Sequence, residues 1–195
     1  MIPPLHVVTD DAVVARPDFL SVAAEVMEAG GPLLALHLRA PAAAGLEVYR
    51  WAEALRARSS GALLLVNDRA DVALAVGADG VHLGRRGLPP ADARALLGSG
   101  RWIGQSVRTP ADAEPGADFL LVGNVFATAS HPGRPGIGTE GLAGDPPRIA
   151  IGGVTPERVA ELRQASAQGV AAIRGIWDAP RPAAAVESYL KEWRG

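Results

Sequence analysis

The stretch GVHLGRRGLPPADARALLG, residues 80–98, runs from a short apolar segment through a glycine turn into a helix start. Val81, His82 and Leu83 read as a buried strand, and the prolines at 89 and 90 open the helix. The same strand-then-helix rhythm recurs on both sides of it. Apolar runs stand at 5–9 (LHVVT), 33–38 (LLALHL), 62–67 (ALLLVN) and 79–84 (DGVHLG). They continue at 101–107 (RWIGQSV), 118–123 (DFLLVG), 148–153 (RIAIGG) and 169–175 (GVAAIRG). Runs this short, continuously apolar and rich in Val, Leu and Ile fit strands covered on both faces of a parallel sheet.

The intervening segments carry helical spacing. In residues 17–29, Phe19, Leu20, Val22, Ala23, Val26 and Met27 share one side. Residues 45–58 place Leu46, Tyr49, Trp51, Ala52 and Leu55 together, with Glu53 and Arg56 outward. TPERVAELRQA at 155–165 offers Thr155 as N-cap and Pro156 at the first helical position. TPADAE at 109–114 also reads as a helix start, and residues 182–193 turn Val186, Tyr189, Leu190 and Trp193 to one face. Eight such repeats predict a compact (β/α)8 TIM barrel, an α/β fold in one domain spanning residues 1–195. The rival is a doubly wound open sheet. It lacks support from any GxGxxG turn after the first strand. Residues 123–147 are the longest stretch without periodicity and fall after the sixth strand, on the face where barrels carry their chemistry.

Composition narrows the function classes. The chain has 195 residues, 48% of them hydrophobic, which is enough for a sizeable core. A net charge of −2 leaves no basic footprint for nucleic acid. The absence of cysteine excludes disulfides, thiolate nucleophiles and cysteine metal sites, and suits a cytoplasmic protein. No signal peptide and no membrane partner are expected, because no apolar run approaches the roughly 20 residues a bilayer requires.

Strand ends then supply the candidate site. They offer His37 and Arg39, Asn67 and Asp68, Arg85 and Arg86, Ser106, Asn124, the Gly152–Gly153 pair, and Arg174 with Gly175. This ring holds more arginine than acid, and guanidiniums converging on one rim require an anion between them. IAIGGV at 149–154 puts two glycines after the seventh strand, where a phosphate can approach backbone amides closely. IRGI at 173–176 supplies matching amides and the Arg174 side chain. The expected partner is therefore a small phosphorylated molecule.

In order, VVTDD, LHLRA, LVNDRADVALAVGADGVHLG, IGQSV, GADFLLVGNVFATASHPGRPGIG, IAIGGVTPERV and GVAAIRGI resemble the thiamin phosphate synthase family and its sister group, the TenI-like thiazole tautomerases. The resemblance implies a β/α barrel, commonly a homodimer, acting on a thiazole phosphate in thiamin biosynthesis. In the synthases it implies coupling of a hydroxymethylpyrimidine diphosphate to that phosphate, with lysines on the diphosphate and carboxylates on Mg²⁺. The chain departs from that pattern in several places. Gln-x-Arg-x-Lys after the second strand reads His37, Arg39 and Pro41. Asn67 and Asp68 are intact, but Gly87 stands where a second carboxylate is expected. In the loop after the sixth strand, Thr128 is kept while Ser130 and His131 replace the usual residues. The thiazole half is retained through Gly152, Gly153 and Gly175.

These departures favour a metal-independent thiazole tautomerase with no cofactor. His37, aligned with Arg39 toward the barrel mouth, is the expected acid/base and His131 the second candidate. Asn124 stands where the tautomerase pattern has a proton-transferring histidine. His82 reads as a structural histidine. The alternatives are a synthase, in which Asp68 holds Mg²⁺ and Arg85 and Arg86 clamp the diphosphate, or a non-catalytic binder of thiazole or thiamin phosphate.

Overall fold

The computed structural model describes residues 1–58, 61–128, 133 and 135–195. Eight parallel strands close on themselves in sequence order. They are β1 (Leu5–Val8), β2 (Leu34–Leu38), β3 (Leu63–Asn67), β4 (Gly80–Leu83), β5 (Trp102–Val107), β6 (Phe119–Gly123), β7 (Arg148–Ile151) and β8 (Gly169–Ala172). The seam is β1 against β8, with Leu5 opposite Val170 and Val7 opposite Ala172. Helices α1 (Asp11–Val14), α2 (Phe19–Gly30), α3 (Gly45–Arg56), α4 (Ala70–Ala75) and α5 (Pro90–Leu97) follow the first four strands. The later ones are α6 (Val159–Gln164), α7 (Arg174–Trp177) and α8 (Pro182–Arg194), the last packed against α2, α6 and α7. Among the described residues no helix is long and apolar enough to cross a membrane.

Strand alternation divides the core in two. Val7, Leu36, Leu64, Val81, Ile103, Leu120, Ala150 and Val170 point outward into the helical layer. Val8, Ala35, Leu65, Phe119, Leu121, Ile149 and Ala171 fill the interior, joined by Ile2. Interior volume is tightly allotted: a Cβ on Gly104 would lie 2.2 Å from the Phe119 ring and 2.7 Å from His82 Nδ1.

Two helical expectations and one strand end need correction. In α3 the buried stripe is Val48, Ala52 and Leu55, while Leu46 is 60% exposed. The i, i+4, i+7 spacing of those three sets the helix's rotation, and Leu46 falls outside it. TPADAE forms only a 3₁₀ turn, Pro110–Asp112, in which the Asp112 carboxylate accepts from the Thr109 N–H and hydroxyl. The eighth strand stops at Ala172 rather than running to 175, so Arg174 and Gly175 open α7.

The barrel interior also holds three fully buried imidazoles. His6 Nε2 donates to the Pro3 carbonyl at 3.0 Å, which leaves His6 Nδ1 to accept from His37 Nε2 at 2.7 Å. The His37 ring lies 5.0 Å from that of His82, whose Nε2 bonds Ser106 Oγ at 2.7 Å. Burial drives all three toward the neutral form: His6 and His82 are pushed down to about 3, and His37 well below 6.5.

An unfolded chain takes up these protons as pH falls through about 6.5, whereas in the folded barrel His6 and His82 refuse them until about 3 and His37 refuses its own until well below 6.5. Their contribution to stability is therefore full above pH 6.5 and is lost on acidification toward pH 3. Calorimetric unfolding at pH 5.5, in buffers of contrasting ionisation enthalpy, is expected to register proton uptake by these three rings. Unfolding without net proton uptake at that pH would mean that they already titrate in the native state.

Candidate functional site

The carboxyl ends of the last four strands enclose a pocket of about 610 Å³. Its floor and walls come from Ser106 near the end of β5, Asn124 and Thr128 after β6, Gly152 and Gly153 after β7, and Arg174 and Gly175 after β8. Arg85 reaches it from the β4 turn. A second hollow of about 570 Å³ lies on the helical side, among residues such as Arg16, Phe19 and Trp177. The strand-end pocket is the candidate site because the polar groups converge there.

The sequence forces the β7 turn into its shape. Gly152 and Gly153 adopt φ +97° and +66°, conformations disfavoured for side-chain-bearing residues. The loop after β6 also lies directly on them. Val125 N–H donates to Ile151 O at 2.8 Å and Phe126 N–H to Gly152 O at 3.0 Å. A Cβ on Gly152 would stand 2.4 Å from that of Asn124. The glycine pair thus serves close loop packing as well as opening the turn toward the pocket. Asn124 reinforces the arrangement, its Nδ2 donating to Phe126 O at 3.1 Å.

Two arginines that the sequence reading passed over line the same pocket. Arg108 follows β5 directly, two residues beyond Ser106, so strand-end position was the available signal. Arg158 comes from the turn after Pro156, where it was hidden within a helix start. Its Nη1 donates to Gly153 O at 2.7 Å and its guanidinium sits 4.4 Å from the centre of the Phe126 ring. It clamps the β7 turn onto the β6 loop. Arg85, Arg108, Arg158 and Arg174 surround one cavity in a chain of net charge −2, which concentrates positive potential where an anionic ligand enters.

The β3–β4 corner lies beside this pocket and is organised around Asp68. That residue has φ +59°, and its carboxylate accepts from Gly84 N–H at 2.6 Å and Asn67 Nδ2 at 2.7 Å. A Cβ on Gly87 would lie 2.6 Å from Asp68 Oδ1, so position 87 directly adjoins the carboxylate. Arg39 stands at the end of β2, its backbone paired with Thr9 Oγ1 in both directions at 2.8 Å. Among the described residues, Arg39, Asn67, Asp68 and Arg86 do not line the pocket itself. Ser130 and His131 lie outside the described residues.

His37 is corrected outright. It does share a strand face with Arg39, but that face points into the barrel one layer below the mouth. His37 sits level with Val8 and Leu65, fully buried and bonded to His6. Burial and the neighbouring His6 and His82 hold it neutral, out of contact with the pocket. Among the described residues, the same column reaches the pocket only through Ser106.

Comparison with known proteins adds the chemical class. Residues 5–176 match the family described as thiamine monophosphate synthase. A thiamine-phosphate synthase of Gloeobacter violaceus is 39% identical over 190 residues, covering 90% of this chain and 54% of that protein. One from Chlorobium phaeovibrioides is 40% identical over 169 residues, covering 80% and 81% respectively. The chain thus spans about half the length of the first relative and four fifths of the second. The solved thiamine phosphate pyrophosphorylase of Pyrococcus furiosus superposes with a TM-score of 0.83 at 30% identity, covering 99% of this chain and 96% of that one. Relatives this similar carry the synthase name, and this overturns the tautomerase reading, which rested on a few substituted motif positions and on a histidine now found in the core. By a match that covers most of its length, the chain belongs to the thiamine monophosphate synthase family.

Proposed function

We propose that this protein is a thiamin phosphate synthase, a transferase that joins a hydroxymethylpyrimidine diphosphate to a thiazole phosphate and releases pyrophosphate. The observation that carries the proposal is the pocket. Two glycine turns and a set of guanidiniums surround one cavity on a barrel that shares about 40% identity with named synthases. The β7 turn and Gly175, with Arg174 beside it, offer the thiazole phosphate backbone amides and one cation. Arg85 and Arg108, on the same cavity, face the diphosphate, where this chain has Pro41 and His131 at the positions of the family's two lysines.

A carbon–nitrogen bond forms between the thiazole nitrogen and the pyrimidine methylene as the methylene–oxygen bond to diphosphate breaks. The negative charge that grows on the departing oxygens is what the Arg85 and Arg108 guanidiniums stabilise. Neither reactant needs to lose a proton for this exchange, which is consistent with a pocket that holds no exposed imidazole among its described residues. Ser106, its Oγ fixed by His82, gives the cavity floor an oriented polar group.

Mg²⁺ fits the Asp68 corner. The carboxylate is exposed, pre-positioned by two hydrogen bonds, and unobstructed on the side that Gly87 leaves without a side chain. One or two protein carboxylates together with water and substrate phosphate oxygens make an ordinary Mg²⁺ site. Asp68 would hold the ion, which when bound neutralises diphosphate charge.

The direct test mixes purified protein with both substrates and Mg²⁺ and follows thiamin phosphate and pyrophosphate separately. Equimolar formation of the two is expected. Saturable thiazole phosphate binding without product would reject the transferase and leave a binding protein. Asp68→Asn, which keeps the shape of the corner while removing its charge, is expected to raise the Mg²⁺ concentration needed for half-maximal turnover by about tenfold or more. An unchanged Mg²⁺ dependence would remove Asp68 from the metal site.

A further inference from the structure

Tyr189 lies on α8, outside the ring of strand ends, and is completely buried. Its hydroxyl donates to Val154 O at 2.8 Å, the carbonyl that directly follows the Gly152–Gly153 turn. The same oxygen stands 2.3 Å from where a Cβ on Gly175 would be, while the ring carbon that bears it is 3.4 Å away. One hydroxyl thus sits behind both turns that line the pocket, bonded to one and in contact with the backbone of the other. Burial pushes its pKa up to about 12, so it remains a protonated donor throughout the working pH range.

We propose that Tyr189 is a positioning residue for the phosphate subsite. Its hydroxyl, wedged between the Val154 carbonyl and Gly175, sets the separation of the two turns that receive the thiazole phosphate. The inference rests on the phosphate reading of those turns. It explains why position 175 carries glycine although its backbone needs no positive φ: the space a side chain would take is already filled by the tyrosine oxygen. Without the hydroxyl, the Val154 carbonyl loses its partner and the turns lose their common stop.

The test compares wild type, Tyr189→Phe, Gly175→Ala and the double variant. Thiazole phosphate affinity is measured by calorimetry, and steady-state constants are measured for each substrate in turn. Tyr189→Phe is expected to weaken thiazole phosphate binding and raise its KM by about tenfold, the scale of one lost hydrogen bond. Both kcat and the KM for pyrimidine diphosphate should stay near wild type. Gly175→Ala should bind more weakly still, because its methyl is driven against the tyrosine oxygen. Adding Tyr189→Phe to it should restore part of the affinity, since the nearest ring carbon then stands at ordinary contact distance. A double variant no better than Gly175→Ala, or Tyr189→Phe with wild-type affinity, would overturn the inference while leaving the function intact. If Gly175→Ala does not fold, the Tyr189→Phe constants decide alone. Absence of thiazole phosphate binding by the wild-type protein would overturn the phosphate reading and the inference with it.

Discussion

Gly104 carries no side chain because Phe119 and His82 already occupy the place where one would go. That local exclusion expresses the constraint on which the whole molecule depends. A closed ring of eight short strands encloses a fixed volume, and every inward residue must be matched by what its neighbours leave free. Gly104 makes room for the Phe119 ring and the His82 imidazole, Gly80 admits the backbone of Trp102, Gly169 admits the Pro4 carbonyl and the Ile149 side chain, and the aliphatic side chains close what remains. Because the interior is filled in this way, the strand ends stay in register, and the turn after β7 meets the loop after β6 through the Val125 and Phe126 N–H groups.

The imidazoles show how far polar groups can enter such a core. Each is kept neutral and given at least one partner, from the Pro3 carbonyl at the bottom to Ser106 at the top. His37 Nδ1 and His82 Nδ1 nonetheless have no hydrogen-bond partner in the described structure, and their rings adjoin. The arrangement gives Ser106 a fixed orientation in the pocket, and the cost appears only where protons become abundant. Among the described residues, the polar column and the strand-end pocket are therefore joined through Ser106.

Most of the architecture was legible because a parallel barrel writes itself as repetition. All eight apolar runs became strands, and the Thr155-Pro156 and Pro89-Pro90 signals mark real helical starts. The glycines at 152 and 153 and the arginines at 85 and 174 reached one pocket, as their strand-end positions imply. Depth was not legible. Period-two alternation says that His37 and Arg39 share a face, but not that a barrel buries one while the other stands at the rim. Tertiary wedges were equally invisible: Tyr189 reads from sequence only as an apolar face of α8, yet its oxygen abuts residues 154 and 175. Substituted motif positions pointed to the tautomerase branch, whereas relatives of about 40% identity carry the synthase name, and Arg108 and Arg158, away from those positions, line the same pocket.

The β1–β8 seam has a consequence for how the chain reaches this state. Leu5 and Val170 pair across most of the sequence, and Trp177 Nε1 adds a 2.8 Å bond to Val8 O at the same boundary. On the ribosome, the first strand can find β2 early, but its other edge has no partner until the last strand has been made. The long loop closed by that pairing is entropically costly and its reward comes last, so ring closure belongs to the late, slow part of folding. Until then the growing sheet has two open edges, and their exposure to other nascent chains is a hazard of its synthesis.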